Sequence, residues 1–204
     1  VGRQVCDQCE RPWVTCLCQF VEPVENSVSV LILQHSSEVG HAKGTARLAQ
    51  LSLIHSELWV GEQFSEQVLQ GWCQKDDAQT FLLFPPLSDW QGELKVLPEA
   101  APELNAHKLR VIVLDGTWKK SKKLIYQNPF LQTLPRLSFS ENWIAQKQGG
   151  DYVIRKAPFA HSLSTIEAVA YALGMLEQDL EKYQPLLHLL QALVKQRDSY
   201  AARC

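Results

Sequence analysis

The sequence predicts an α/β fold around a mostly parallel sheet, and three observations point there. Residues 30–33 and 111–114 are unbroken apolar runs, Val-Leu-Ile-Leu and Val-Ile-Val-Leu. Strands buried on both faces read this way. Elsewhere apolar residues recur at steps of three and four, the period of a helix with one buried face. The two kinds of segment alternate along the chain, as strand–helix–strand crossovers do.

Strands are expected over 27–34, 80–84, 109–114 and 137–139. A helix over 45–56 carries Ala46, Leu48, Ala49, Leu51 and Ile54 as its apolar set. A clearer one spans 164–176, with Ile166, Val169, Ala170, Leu173 and Leu176 on one stripe. Ser164 and Glu167 have the spacing of a capping box at its start. Its free N–H groups and dipole favour an anion there. A last helix opens at Pro185, because proline suits a first helical turn. It directs Leu186, Leu187, Leu189, Leu190, Leu193 and Val194 to a core. Residues 91–106, with Glu, Pro and Gly, read as a surface excursion between strands.

The 204 residues are 46% hydrophobic and 21% charged, which suits one sizeable domain with at most a small satellite. A net charge of −2, from 20 Lys+Arg against 22 Asp+Glu, excludes a strongly basic nucleic-acid coat protein. It leaves room for a local basic face. No apolar run approaches the ~18 residues of a membrane span, and the first residues are polar and Cys-rich. A cytoplasmic protein with no membrane and no protein partner is expected.

Four of the six cysteines, Cys6, Cys9, Cys16 and Cys18, open the chain as C-x2-C-x6-C-x-C. Two closely spaced pairs bring four thiolates together at little loop-closure cost, as a tetrahedral Zn2+ site requires. Two disulfides are the alternative, but a chain with no secretory signal in view belongs in a reducing compartment. A closed set of four thiolates is structural, since a catalytic zinc keeps an open position. Residues 1–26 are therefore read as a zinc knuckle and 27–204 as the main domain.

Asp115-Gly116-Thr117-Trp118 follows directly on the run 111–114. In open α/β sheets ligands bind beyond the carboxyl ends of strands. Asp115 offers a base or anchor, Gly116 permits close backbone approach, and Trp118 offers a stacking face. The same residues serve equally as an Asp-Gly turn, with Thr117 capping the next helix and Trp118 in the core. Lys119, Lys120, Lys122 and Lys123 come next, either a solvated helix face or a phosphate-binding one. Arg155 and Lys156 add a second basic element, and His35 stands at the end of the first strand beside Ser36, Ser37 and Glu38. Phe84-Pro85-Pro86 stops the second strand and stiffens a loop.

Together these residues resemble the DTW-domain family, and within it the bacterial tRNA-uridine aminocarboxypropyltransferases. The resemblance runs from the cysteines through Gln34-His35-x-x-Glu38, Leu83-Phe84-Pro85 and Asp115-Gly116-Thr117-Trp118. It continues through Leu134-Pro135-x-Leu137, Arg155-Lys156-x-Pro158 and Leu163-Ser164-Thr165-x-Glu167-Ala168. Here Gly116 splits the name-giving triplet. The resemblance implies a SPOUT-like fold with a trefoil knot, S-adenosylmethionine as donor of a 3-amino-3-carboxypropyl group, and a variable-loop tRNA uridine as acceptor. It implies Asp115 as catalytic base or orienting carboxylate. The donor would lie among Leu83, Phe84, Pro85, Gly116, Thr117, Trp118, Leu137, Ser164, Thr165 and Glu167, with its carboxylate at the N-terminus of the Ser164 helix. Lys119, Lys120, Lys122, Lys123, Arg155, Lys156 and His35 would meet the tRNA. A SPOUT-type tRNA methyltransferase and a non-catalytic zinc-knuckle RNA-binding adaptor are the competing expectations.

Overall fold

A computed structural model describes residues 4–148 and 163–201. Six strands form one sheet: β1 (Ser29–Gln34), β2 (Ser56–Val60), β3 (Gln79–Leu83), β4 (Leu94–Leu97), β5 (Leu109–Asp115) and β6 (Arg136–Phe139). Their order is β2-β1-β5-β3-β6-β4, and every pairing is parallel. β1 and β5 lie inside the sheet, where both faces are covered. That explains their unbroken apolar runs and the complete burial of β5.

Helices cover both faces. α1 (Ala46–Ser52), α6 (Thr165–Leu176) and α7 (Gln184–Ala201) pack on one, and α2 (Glu66–Cys73), α3 (Trp118–Gln127) and α4 (Phe130–Thr133) on the other. α5 (Glu141–Gln148) follows β6. Alternation along β5 feeds both cores, Val111 and Val113 to the first and Ile112 and Leu114 to the second. Among the described residues no helix is long and apolar enough to cross a membrane.

Two strands depart from the sequence expectation. β4 lies inside the stretch 91–106 read as a surface excursion, and β2 lies partly inside the predicted helix 45–56. Both are edge strands, short and only half-buried, so neither has a continuous apolar run. α1 stops at Ser52, whose hydroxyl bonds back to the Leu48 carbonyl at 2.9 Å, and Leu53 is already extended. Ile54, expected on the buried stripe, is exposed.

The N-terminal segment packs on the α1/α6/α7 face. Cys6, Cys9 and Leu17 are buried within that core, and the turn Cys18–Phe20 contacts α7. Arg47 of α1 donates from Nε to the Gln8 carbonyl at 2.8 Å.

At the other end of the sheet, Glu177 caps α6 and reaches the residues before β1. Its Oε1 accepts from the amides of Ser27 (2.7 Å) and Val28 (3.0 Å), and its Oε2 pairs with Lys182 at 2.6 Å. Burial alone would push this carboxyl up. Lys182, Tyr183 and the two amides outweigh burial and hold it below the usual range.

Candidate functional site

An all-parallel sheet places every strand's carboxyl end along one edge. The β1–β5 register sets Gln34 opposite Asp115 at that edge. Asp115 is buried, and both carboxylate oxygens are held: Gln34 Nε2 donates to Oδ2 at 2.9 Å, and the Thr165 hydroxyl donates to Oδ1. Its carbonyl accepts from the His35 amide at 3.0 Å. Among the described residues no cation pairs with Asp115. The carboxylate is therefore fixed in place by two neutral donors and retains lone pairs for a further proton or donor.

The residues after Asp115 divide between structure and surface. Thr117 is the N-cap of α3 and accepts from the Lys120 amide at 3.4 Å. A Cβ on Gly116 would stand 3.0 Å from the Lys120 Cβ, so the glycine lets α3 start immediately after the strand. Its neighbour is the helix itself, which accounts for the glycine without a ligand. Trp118 is not in the core. It is 47% exposed and stacks on Phe84, ring centroids 4.7 Å apart at 17°. Leu83 and Leu137 are paired and buried, and the Phe84 amide donates to the Leu137 carbonyl at 3.0 Å. Pro85 is exposed.

The lysine run separates into two pairs. Lys120 bonds Glu38 at 2.7 Å and Lys123 bonds Glu62, while Lys119 and Lys122 have no ion pair among the described residues. Lys123 and the Ser36 hydroxyl hold the Glu62 carboxyl below its usual range. His35 is only 5% exposed, and its Nδ1 accepts from the Ser37 amide at 3.3 Å. That bond leaves the proton on Nε2, which faces Glu62 Oε1 at 3.5 Å. These lysines, His35 and Tyr126 line an open cleft of about 530 Å³. Arg155 and Lys156 lie outside the described residues.

The capping box at α6 is present. The Ser164 amide and hydroxyl both donate to Glu167 Oε2, and the Ile166 amide donates to Thr45 Oγ1 at 3.3 Å. Most N–H groups of the first turn are thus committed, and Glu167 adds a negative charge. The expected carboxylate at this N-terminus would meet Glu167 and nearby Asp115 instead of free amides.

The four N-terminal thiols converge, all Sγ atoms within 4.8 Å of one another. Cys6–Cys18 is 3.6 Å and Cys9–Cys16 is 3.8 Å. A tetrahedral site with metal–sulfur bonds of about 2.3 Å places its sulfurs about 3.8 Å apart, so the set fits such an ion. The crowded thiols do not all ionise on their own: amides of Cys9 and Gln8 hold Cys6 down to about 7, while burial and the neighbouring thiols push Cys18 up.

Sequence reasoning missed one residue at this edge and gave another no role. Gln34 appeared in the Gln34-His35-x-x-Glu38 pattern at the end of the first strand, but its bond to Asp115 did not. Arg136 was visible as an arginine opening a short strand between Pro135 and Leu137. It is fully buried, over the rings of Trp90 (5.3 Å) and Phe84 (5.9 Å).

The DTW domain profile matches residues 3–198. Similar curated proteins include the tRNA-uridine aminocarboxypropyltransferase 2 of Mus musculus, 31% identical over 94% of this chain and 62% of the relative. The Macaca fascicularis protein of that name is 30% identical over the same shares. The Drosophila melanogaster one is 30% identical over 95% of this chain and 74% of the relative. The chain spans about 62% of the length of the two mammalian relatives. No solved structure matches it.

Proposed function

Because the chain belongs to the DTW-domain family, we propose that it transfers the 3-amino-3-carboxypropyl group of S-adenosylmethionine to N3 of a uridine in tRNA, in the variable loop. The relatives' names set the reaction class. The observation that carries the reading is Asp115, a buried carboxylate held on both oxygens at the carboxyl edge of the sheet.

The donor's sulfonium supplies the leaving group, so no protein nucleophile is needed. The N3–Cγ bond forms, the Cγ–S bond breaks and 5′-methylthioadenosine leaves. Asp115 receives or orients the N3 proton, and Gln34 and Thr165 keep its carboxylate aimed. Leu83, Phe84, Pro85 and Leu137 wall the donor site, with Trp118 at its mouth. Gly116 and Thr117 shape the turn beneath it. The first turn of α6 (Ser164, Thr165, Glu167) closes the donor site beside Asp115, with Thr165 holding the carboxylate and Glu167 keeping that end negative. Lys119 and Lys122 lead the tRNA contacts, with Lys120, Lys123, Arg155 and Lys156. His35 supports the cleft through Glu62.

The reading includes a SPOUT-like knot. It is supported by β6 lying between β3 and β4, so that residues 84–93, which join those strands, pass over it. It also includes Zn2+ on Cys6, Cys9, Cys16 and Cys18, stapling residues 1–26 to a catalytic body of 27–204. The free thiols suit a reducing cytoplasm.

The test incubates tRNA with donor labelled in the methyl group or in the carboxypropyl chain. Chain label on the tRNA is expected. Methyl label would identify a methyltransferase instead, and no label from either an RNA-binding adaptor.

A further inference from the structure

We propose that Arg136 is a receptor for the carboxylate of the aminocarboxypropyl donor, reached beneath the loop 85–90; the inference rests on the transferase reading above. Arg136 is 0% exposed, and none of Nε, Nη1 and Nη2 has a hydrogen-bond partner among the described residues. A guanidinium does not shed its proton to escape burial, so the charge remains in a site that answers none of its donors. The rings of Phe84 and Trp90 hold the cation through their π-systems. They provide no acceptor. What is left unanswered is the in-plane fork of N–H groups, the shape a carboxylate fills with two parallel bonds.

The surroundings point to a small terminal carboxylate. Among the described residues no acid takes the fork: Asp89 favours the charge from a distance, forms no ion pair with it, and accepts the Tyr126 hydroxyl at 3.2 Å. Complete enclosure disfavours an RNA phosphodiester, which carries a nucleoside on each side. The cover is light. Pro85, Pro86, Ser88 and Asp89 are exposed, and the Trp90 indole is held by one hydrogen bond, to the Gln132 carbonyl at 3.1 Å. The site adjoins the donor wall, because Phe84 stands between Arg136 and Trp118. The other candidate place for the carboxylate, the start of α6, already holds Glu167.

The experiment titrates S-adenosylmethionine and its decarboxylated analogue into wild-type protein and Arg136→Met. Wild type is expected to prefer the carboxylate-bearing compound by about ten- to a hundredfold, the range of a charge-assisted pair. Arg136→Met should abolish that preference and leave the melting temperature of the ligand-free protein unchanged or raised, since an unpaired buried charge has been removed. Arg136→Lys, which keeps the charge without the fork, should retain part of the preference, and it carries the test if the Met variant fails to fold. Equal binding of both compounds by wild type overturns the inference alone. So does Arg136→Met that keeps the preference or loses only tRNA affinity, the last marking a phosphate site. Wild type that binds neither compound overturns the transferase reading and this inference with it.

Discussion

Near the amino end of the sheet, Arg110 is 6% exposed and lies over the Trp72 ring at 4.9 Å. Its Nε finds the Lys75 carbonyl at 3.1 Å and its Nη2 finds Asp76 at 2.9 Å. At the same end, Glu177 meets two amides and Lys182. Toward the carboxyl edge, Arg136 lies over two rings and finds no acceptor among the described residues. Asp115 is held only by neutral donors. β6 begins opposite Leu82, near the end of β3, so its first residue belongs to the upper part of the sheet. The two regions use the same residue types. One closes its charges on the protein, as a structural network must. The other leaves them available, which costs stability and suits a site that binds charged, polar substrates.

The largest expected effect tests the upper region. Asp115→Asn should lower single-turnover transfer by about 10²–10⁴-fold, the usual worth of a positioned base. The fold should survive, because Asn can still accept at one position. Near-normal transfer would remove Asp115 from the mechanism. At the lower end the comparison calls for a stability effect without a catalytic one. Glu177→Ala should cost about 3 kcal/mol in denaturant unfolding, since two amides and Lys182 lose their partner. The Glu177 carboxyl is depressed in the fold, so its contribution is full above the unfolded value of about 4.3 and is lost as pH falls through the folded one. The variant's stability should accordingly fall less steeply in acid than wild type's.

Arg110→Met sharpens the contrast. It should cost about 2 kcal/mol in unfolding free energy, for two charge-assisted bonds and a ring contact. A neutral result would mean that satisfied and unsatisfied arginines are not distinguished by stability. The smallest effect concerns the lysines. Lys119→Glu with Lys122→Glu should lower tRNA affinity and reduce the log–log salt slope by about two, one per lost phosphate contact. An unchanged slope would assign both lysines to solvent.

What was legible followed from local chemistry. β1 and β5 announced themselves because burial on both faces demands continuous apolar residues. The capping box at Ser164 and the cysteine spacing are complete within a few residues. β2 and β4 were hidden because an edge strand needs only half its residues buried, and Leu53 and Ile54 extended a helical pattern that the backbone abandons. Of the candidate site, Asp115 and the lysine run stood out in the sequence. Which lysines are spoken for did not, because Glu38 and Glu62 lie 82 and 61 residues from their partners. Arg136 was equally opaque: an unsatisfied guanidinium is a statement about everything around it.

α6 spans the sheet, with the Thr165 hydroxyl on Asp115 at its head and Glu177 anchored to Ser27 and Val28 at its foot. Its twelve residues make a gauge bar of about 18 Å between the two regions. Glu177 sets the bar's zero mark. Adding or deleting one residue within the helix would shift its head by about 1.5 Å and turn it by about 100° relative to that mark, swinging Thr165 off the carboxylate. The placing of Thr165 on Asp115 is therefore written into the length of a helix anchored at its far end, and substitutions at its half-buried positions, such as Ala168, should matter far less than any change in its count.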